Sequence, residues 1–168
     1  LFRSRAILVV SYYTGVYDTT FIINNSFIRS SILAIVTGNT QKESIIKNNI
    51  IVYGKWGIYV YDSCQAKADY NLYYKIWESP YYQLEPGEHD IIANPMFVND
   101  TIATYNGNYD YHLQKYSPAI DSGDPSILDI DETRSDIGMF GGPGGTKYHY
   151  IDYAPRVVTG INCTYNDS

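Results

Sequence analysis

The chain has 168 residues, 19 of them Tyr, and a formal net charge of −6. It is long enough to fold as one domain with its own core, and its acidic balance, without a run of Lys and Arg, argues against a nucleic-acid partner. The longest apolar run near the start, residues 6–10, is far shorter than the ~20 residues that cross a bilayer, so no membrane span is expected.

The first predicted strand, residues 6–11 (AILVVS), returns as residues 34–39 (AIVTGN) and 57–62 (GIYVYD). Each copy is a small residue, an Ile and then alternating β-forming residues, which is typical of a short strand. Side chains alternate between the two faces of a strand. The positions predicted to point inward are Ile7, Val9, Ile35, Thr37, Ile58 and Val60, and the outward positions are Leu8, Val36, Tyr59 and Tyr61.

A second repeat is centred on Asn residues. Residues 20–28 (TFIINNSFI) return as residues 44–52 (SIIKNNIIV), and residues 68–74 (ADYNLYY) are a looser copy. Self-similarity with a period in the twenties predicts a solenoid, and this one is all-β because each turn carries at least two short strands. The predicted core positions of this repeat are Ile22, Phe27, Ile46 and Ile51.

Asn25, Asn49 and Asn71 lie at the sharp bend between the two strands of this repeat. Asn tolerates left-handed backbone angles and can hydrogen-bond to its own chain, which suits a tight bend. If successive turns stack in register, the three amides can also bond to one another. We therefore expect Asn25, Asn49 and Asn71 to form a structural ladder.

After Tyr74 the repeat is lost. Residues 75–98 contain three prolines and a glycine and are predicted to form a long excursion, with short strands at 94–98 and 109–113. Aromatic residues concentrate around the last regular turn and this excursion. Their rings either stack on the faces of sugars or simply suit a strand. The candidate carbohydrate-binding residues are Tyr59, Tyr61, Trp77, Tyr81 and Tyr82.

Residues 117–145 are rich in Asp, Gly and Pro and are predicted to form an irregular cap over the end of the solenoid. Arg134 is expected to pair with one of the nearby carboxylates and hold this cap in place. The clustered acids either act as turn residues or bind Ca²⁺, which prefers several oxygen ligands. The cap residues are Asp121, Asp129, Asp131, Arg134 and Asp136, with Asp124 and Glu132 in the same acidic set.

Several of these segments resemble the C-terminal end of the pectate-lyase-like proteins, which are mostly large bacterial secreted or surface proteins. The resemblance covers roughly residues 6–142, although Glu132 stands where the pattern usually has Gly and Met139 where it usually has Ala. It implies a right-handed, single-stranded parallel β-helix, often with an extracellular polysaccharide as partner, but it does not imply catalysis. The segments that carry the resemblance are residues 68–74 and 87–91, the segment that ends at Val98, and residues 111–113, 117–125 and 129–142.

The repeat, the resemblance and the first residue, Leu1, suggest a piece of a longer protein. We expect residues 1–143 to be the last coils and cap of the β-helix, and residues 144–168 to be a linker or tail towards a following module. Cys64 and Cys163 lie far apart in the chain, one in a repeat and one in the tail. A disulfide between them is not required, so the cysteines do not decide the redox compartment.

No catalytic residue is identified. Glycoside hydrolysis requires two carboxyl groups about 5–10 Å apart, and the equivalent positions Asn39 and Asp62 provide only one acid. Family members that cleave by β-elimination need a Lys or Arg base near bound Ca²⁺, and Lys55 and Lys67 are candidates by charge alone. Apart from this Ca²⁺, no cofactor or metal is indicated, since the three His residues are scattered.

The leading hypothesis is a secreted or cell-surface protein that binds or processes a polysaccharide. Any catalytic centre, of the polysaccharide-lyase or glycoside-hydrolase type, is expected outside this piece. The alternative is a non-catalytic structural stalk or adhesin, in which the solenoid is a spacer. The expected partners are a polysaccharide and other domains of the same longer chain.

Overall fold

A computed structural model describes residues 5–10, 19–30, 33–38, 43–61, 65–100 and 109–150, with side chains in all of these ranges except 5–10 and 33–38. These residues form strands and contain no helix, so the described part of the chain is all-β. Cys64, Cys163, Asn39 and Asp62 lie outside the described residues.

In chain order the strands are β1 (Arg5–Val10), β2 (Thr20–Ile23), β3 (Ser26–Ile28), β4 (Leu33–Gly38), β5 (Ser44–Lys47), β6 (Ile50–Val52), β7 (Trp56–Val60), β8 (Ala66–Asp69), β9 (Leu72–Tyr74), β10 (Ser79–Tyr82), β11 (Ile91–Ile92), β12 (Phe97–Asn99) and β13 (Asp110–Leu113). Three sheets are parallel throughout: the β1 sheet (β1-β4-β7-β10), the β2 sheet (β2-β5-β8) and the β3 sheet (β3-β6-β9-β11). Strands β12 and β13 form a separate antiparallel pair.

The strands are distributed among the sheets in a regular order. Three successive units, β1–β3, β4–β6 and β7–β9, each contribute one strand to each parallel sheet, in the same sequence. Equivalent residues pair across units, as Ile7 with Ile35 and Ile35 with Ile58 in the β1 sheet. Each unit therefore lies against the next through parallel hydrogen bonding in three sheets at once.

Apolar side chains from neighbouring units form a buried core. Ile22, Phe27, Ile46 and Ile51 lie in it, which confirms the sequence prediction for these four positions. Ile58 and Val60 are also buried, while Tyr59 is half-buried and Tyr61 is 44% exposed, as alternation along the strand requires. The side chains of Ile7, Leu8, Val9, Ile35, Val36 and Thr37 lie outside the described set.

Each unit has two residues with left-handed backbone angles, at equivalent positions. The first is Asn24, Asn48 or Tyr70, immediately before Asn25, Asn49 or Asn71, with φ of 54°, 54° and 58°. The second follows the strand of the β3 sheet and is Arg29, Tyr53 or Lys75, with φ of 57°, 59° and 51°. Left-handed angles cost roughly 1–2 kcal/mol for residues other than Gly and Asn. At the second position the cations of Arg29 and Lys75 lie 5.2 and 5.5 Å from the Tyr53 ring centroid, and these contacts stabilise the bend.

The sequence predicts a long excursion over residues 75–98, and the structure contradicts this prediction. Strand β10 pairs in parallel with β7, and β11 pairs in parallel with β9, so the stack continues for a partial fourth unit. Pro80 is accommodated because β10 is the edge strand of its sheet, where a missing N–H is tolerated. Prolines were therefore a misleading signal for the end of the repeat.

The closing segment, residues 117–145, packs along the side of the units rather than across their end. With the β12–β13 pair it covers the outer face of the β3 sheet, where Phe97, Leu113, Ala119 and Ile137 pack against Ile50, Val52 and Leu72. Further along, the Gly138 N–H donates to the Asn48 carbonyl at 2.8 Å, and the Met139 N–H donates to Ser26 Oγ at 3.1 Å. This lateral position arises because the β3 sheet has a second apolar face that needs cover.

Residues 144–150, expected to begin the tail, pack against the same body. Tyr148 belongs to the apolar cluster over the β3 sheet, and its hydroxyl oxygen accepts a hydrogen bond from the Leu113 N–H at 3.0 Å. The Tyr150 hydroxyl donates to Asp136 Oδ2 at 2.8 Å. The remainder of the expected tail, residues 151–168, lies outside the described residues.

Candidate functional site

Four aromatic side chains gather around strands β7 and β10 on the outer side of the β1 sheet. The rings of Tyr59 and Tyr82 stack face to face, with centroids 4.0 Å apart and planes 10° apart. Tyr61 lies against Tyr59 at 5.1 Å, and Trp56 contacts the Tyr59 and Tyr82 rings edge-on at 6.0 and 5.3 Å. We term Trp56, Tyr59, Tyr61 and Tyr82 the aromatic cluster.

The register of the β1 sheet explains why Tyr59 and Tyr82 meet. They are directly paired in the β7–β10 ladder, and neighbouring strands of a sheet lie ~4.8 Å apart. Val36 and Leu8 occupy the equivalent backbone positions on β4 and β1. The cluster therefore occupies the end of the sheet that is formed by the last two strands.

Two sequence-predicted sugar-binding residues do not join this cluster. Tyr81 is adjacent to Tyr82 and so points to the opposite face, where its ring contacts Tyr73 at 5.0 Å and its hydroxyl donates to Asp90 Oδ2 at 3.0 Å. Burial raises the pKa of the Tyr81 hydroxyl. Trp77 precedes β10 and is 69% exposed, with no ring contact to other described residues. The structure thus brings together Tyr59, Tyr61 and Tyr82, and adds Trp56.

The cluster offers a ridge of aromatic surface with limited polar chemistry. The Tyr59–Tyr82 stack hides one face of each ring, so the ring edges, the free ring faces and the phenol groups remain for contact with a ligand. One charged pair flanks it, because the Lys55 ammonium lies 3.6 Å from Glu78 Oε1 between the starts of β7 and β10. Such a surface suits an uncharged ligand with apolar faces and hydroxyl groups.

The bend residues form a continuous hydrogen-bonded column. Asn25 Nδ2 donates to Asn49 Oδ1 at 3.2 Å, and Asn49 Nδ2 donates to Asn71 Oδ1 at 2.9 Å. The backbone N–H groups of Asn25 and Asn49 donate to the same two oxygens, each at 3.0 Å. Asn49 and Asn71 are fully buried. Each bend is therefore tied to the next by two hydrogen bonds to one amide oxygen.

Asp90 is the fourth member of the column, and the sequence analysis did not identify it. Asp90 Oδ1 accepts from the Asn71 N–H at 2.6 Å and from Asn71 Nδ2 at 3.3 Å, as an Asn would. Its other oxygen accepts from the Gly87 N–H at 3.1 Å and from Tyr81. Burial raises the pKa of Asp90. The available signal was the run Asp90-Ile91-Ile92, which repeats Asn49-Ile50-Ile51 with an acid in place of the amide.

The carboxylates of the closing segment accept hydrogen bonds from other groups of the chain. Asp136 is buried and accepts from the Asp121 N–H at 2.9 Å and from Tyr150, and burial raises its pKa to about 6. Asp129 Oδ2 accepts from the Asp136 N–H at 3.0 Å, and its other oxygen accepts from the Gly142 N–H. Asp131 accepts from Thr133 Oγ1 at 2.7 Å. The hydrogen bonds to these carboxylates fix the conformation of the loops in the closing segment.

Arg134 does not pair with Asp129, Asp131 or Asp136, and this corrects the sequence expectation. Its Nε donates to the Gly123 carbonyl at 2.6 Å and its Nη2 to the Ser122 carbonyl at 3.4 Å, because backbone acceptors lie closer than the engaged acids. The ion pair that anchors the segment is instead Lys47–Asp124, at 2.5 Å. Burial acts to raise the pKa of Asp124, but the bonds from Lys47 and Ser126 outweigh it and hold the pKa at about 2.

The remaining candidates for chemistry are paired or dispersed. Lys67 lies 3.1 Å from Glu43 Oε2, as Lys55 lies near Glu78. His89 Nδ1 is 3.0 Å from Asp69, and His112 Nδ1 is 2.6 Å from Asp110, at separate places in the fold. Among the residues with described positions, no three His, Cys, Asp or Glu side chains are arranged to hold a metal ion.

Comparison with protein-family models, with curated proteins and with solved structures finds no match to this chain. In the described ranges no helix has the length and apolar character to cross a membrane.

Proposed function

We propose that this chain is a section of a right-handed parallel β-helix from a secreted or cell-surface protein, and that its aromatic cluster binds a polysaccharide. The fold part of the proposal is supported by the three parallel sheets, which take one strand from each unit in turn. It is further supported by the apolar core between them and by the column of bend residues. Parallel units stacked in this way are the architecture expected of a strand-built solenoid.

The observation that carries the binding part is the aromatic cluster. Aromatic rings at interfaces supply a large apolar contact area at low entropic cost, with a phenol or indole group for hydrogen bonding. Tyr61 is 44% exposed, and its neighbours are only partly buried, so the rings remain accessible. Because the cluster spans two adjacent strands, a chain of sugar rings lying across the sheet would contact several side chains at once.

The proposal assigns binding without a catalytic step to the described residues. Cleavage by hydrolysis needs one carboxyl group as acid and a second as base or nucleophile. The carboxylate that flanks the aromatic cluster, Glu78, is paired with Lys55, and those of the closing segment accept hydrogen bonds that hold its loops. The described surface therefore supports recognition of a polymer.

Binding of the intact chain to an array of plant and microbial polysaccharides tests the proposal. We expect Tyr82→Ala or Trp56→Ala to weaken binding of any recognised glycan at least tenfold, which corresponds to about 1.4 kcal/mol. The matched control is Trp77→Ala, which removes an equally large and more exposed ring outside the cluster. Equal losses in all three variants would contradict a site at the cluster.

The second candidate function is a structural stalk or adhesin whose units act as a spacer. It is favoured by the hydrogen-bonded column and by the long lateral contact of the closing segment, since both stabilise the fold without presenting a site. The two candidates differ in one outcome. A correctly folded chain that binds no glycan on the array would favour the stalk.

A further inference from the structure

Strand β13 carries an Asp–His pair on the face of the β12–β13 pair that is turned away from the β3 sheet. Tyr111 and Leu113 belong to the apolar cluster over that sheet. The alternate residues Asp110 and His112 therefore point the other way. His112 Nδ1 lies 2.6 Å from Asp110 Oδ1, and the same oxygen accepts from the His112 backbone N–H at 3.0 Å. The imidazole is thus tied to its own strand.

Two further aromatic rings hold the imidazole of His112 in place. The Phe140 ring stacks on it, with centroids 4.1 Å apart and planes 19° apart, and the Tyr148 ring contacts it edge-on at 4.5 Å. The His112 side chain nevertheless stays 38% exposed. Its orientation is set by three neighbours before a ligand arrives, and this lowers the entropic cost of binding.

The Asp–His pair presents hydrogen-bond acceptors. The bond from the His112 backbone N–H holds the pKa of Asp110 below its ordinary value, so this carboxylate can only accept. The Nδ1 of a neutral imidazole that faces a carboxylate carries the ring proton, which leaves Nε2 as an acceptor. In the described part of the chain, no group hydrogen-bonds to His112 Nε2 or to Asp110 Oδ2. The pair therefore offers two acceptors on one face of the strand.

These acceptors line a groove whose other walls are mainly apolar. The groove has a volume of about 580 Å³, in the ~300–1,000 Å³ range of small-molecule sites. The hairpin contributes Val98 and the Asp–His pair, and the closing segment contributes Met139 and Phe140. Met139 is 46% exposed, so part of this apolar surface is accessible. The groove thus combines apolar walls with two acceptors, one of which is an anion.

We propose that this groove binds one uncharged sugar ring, with two neighbouring hydroxyl groups of the sugar donating to His112 Nε2 and Asp110 Oδ2. A sugar ring fits this chemistry because its apolar face packs on a surface such as Phe140, while its hydroxyl groups supply the donors. A sugar acid is rejected, since its carboxylate would face a like charge and a second acceptor. The groove is separate from the aromatic cluster on the β1 sheet, and binding in it does not require that cluster.

Nuclear magnetic resonance titration of the intact chain with the methyl glycosides of glucose, galactose and mannose tests the proposal. We expect at least one of them to cause saturable shifts at Val98, Phe140 and His112, including the Nε2 resonance of His112. The methyl glycoside of the corresponding uronic acid, which differs by one carboxylate, should bind at least tenfold more weakly. No shift at these residues with any of the three sugars, or equal binding of the uronic acid, would overturn the proposal.

His112→Phe separates hydrogen bonding from packing, because the new ring can still stack on Phe140 but has no nitrogen. We expect it to weaken sugar binding at least tenfold. Asp110→Asn, which replaces the acceptor Oδ2 by a donor at almost constant shape, should weaken it as well. Unchanged affinity in both variants would contradict the assigned contacts.

The matched control is His89→Phe. His89 is also paired with a carboxylate, at 3.0 Å from Asp69, and its ring stacks on Tyr70, but it lies outside the groove. Its replacement should leave sugar binding unchanged, and an equal loss in this variant would argue against the groove. Sugar-induced shifts confined to Tyr59 and Tyr82 would support the aromatic cluster and overturn the proposal for the groove.

Discussion

Replacing Asn49 by Ala removes the most connected side chain of the bend column. Asn49 is fully buried, and its Nδ2 donates to the Ile22 carbonyl at 2.8 Å, to the Lys47 carbonyl at 2.9 Å and to Asn71. Its Oδ1 accepts both donors of Asn25. The substitution therefore removes five hydrogen bonds but leaves the backbone bond from the residue 49 N–H to Asn71 Oδ1 in place.

The magnitude follows from the partners that are left without a bond. The Asn25 N–H and the Ile22 carbonyl lose their side-chain partner, whereas Asn25 Nδ2 keeps the Ile23 carbonyl and Asn71 Oδ1 keeps a backbone donor. Each unsatisfied buried group costs about 1–3 kcal/mol, and we expect a total loss of roughly 2–4 kcal/mol. For a chain of this size that corresponds to a decrease in Tm of about 4–16 °C.

Denaturant titration and thermal melting of the intact chain measure this loss. Asn49→Asp should be at least as destabilising, because the new carboxylate faces three acceptor oxygens in a buried place. Asn94→Ala is the matched control, since Asn94 is exposed and, among the described residues, its side chain accepts one hydrogen bond, from the nearby Met96 N–H. A free energy of unfolding for Asn49→Ala within about 0.5 kcal/mol of the parent would refute the reasoning.

Two further predictions concern stability. The folded pKa of Asp136 is about 6, above its ordinary value of 3.8, so the folded state holds this proton more tightly than the unfolded state does. The stability that this group contributes is complete below pH 4 and is lost as the pH rises through about 6. Asp136→Asn should therefore flatten that part of a profile of unfolding free energy against pH. An unchanged slope in the variant would contradict this prediction. Gly57→Ala should cost about 1–3 kcal/mol in a thermal melt, because the new Cβ would overlap the Pro80 carbonyl oxygen and lie 3.0 Å from the Tyr73 ring. A neutral melt would show that β7 and β10 are not packed as described.

Periodic positions are those that sequence reasoning places best. The recurrence of Asn at Asn25, Asn49 and Asn71 marks equivalent positions in successive units, because strands in register repeat their residue types. Ile22 and Ile46 were assigned to the core by the same alignment, and both are buried. Such positions are dictated by local pattern, which the sequence displays directly.

Asp90 occupies a repeat position that the sequence pattern does not reveal. It lies 19 residues after Asn71, whereas the interior steps are 24 and 22 residues. The residue type also changes at the same step, from an amide to an acid. Both differences coincide with the partial fourth unit, which among the described residues adds no strand to the β2 sheet.

Predicting which aromatic residues lie together requires the register between β7 and β10, which the sequence alone does not give. Tyr81 and Tyr82 are neighbours in the chain, but opposite faces of β10 carry them, so only Tyr82 meets Tyr59. Assigning β10 as a strand would have separated them, but the three prolines and the glycine of residues 75–98 argued against that assignment. Trp56 was missed because its contact with Tyr82 depends on the pairing of β7 with β10.

Long-range packing explains the errors in the closing segment. Its lateral course depends on the outer apolar face of the β3 sheet, formed by Ile50, Val52 and Leu72 from two different units. Arg134 likewise bonds to carbonyl groups that the fold brings near it, and no charge pattern predicts a backbone partner. Composition identified an irregular segment correctly, but its position depends on contacts over more than a hundred residues.

The stacking of units through the bend column is tested most directly by nuclear magnetic resonance of the intact chain. Nuclear Overhauser contacts from the side-chain amide protons of Asn49 should reach Asn25 on one side and Asn71 on the other, and those of Asn71 should reach Asp90. Side-chain amides of Asn25, Asn49 and Asn71 that show no contact with one another and exchange freely with water would contradict the account.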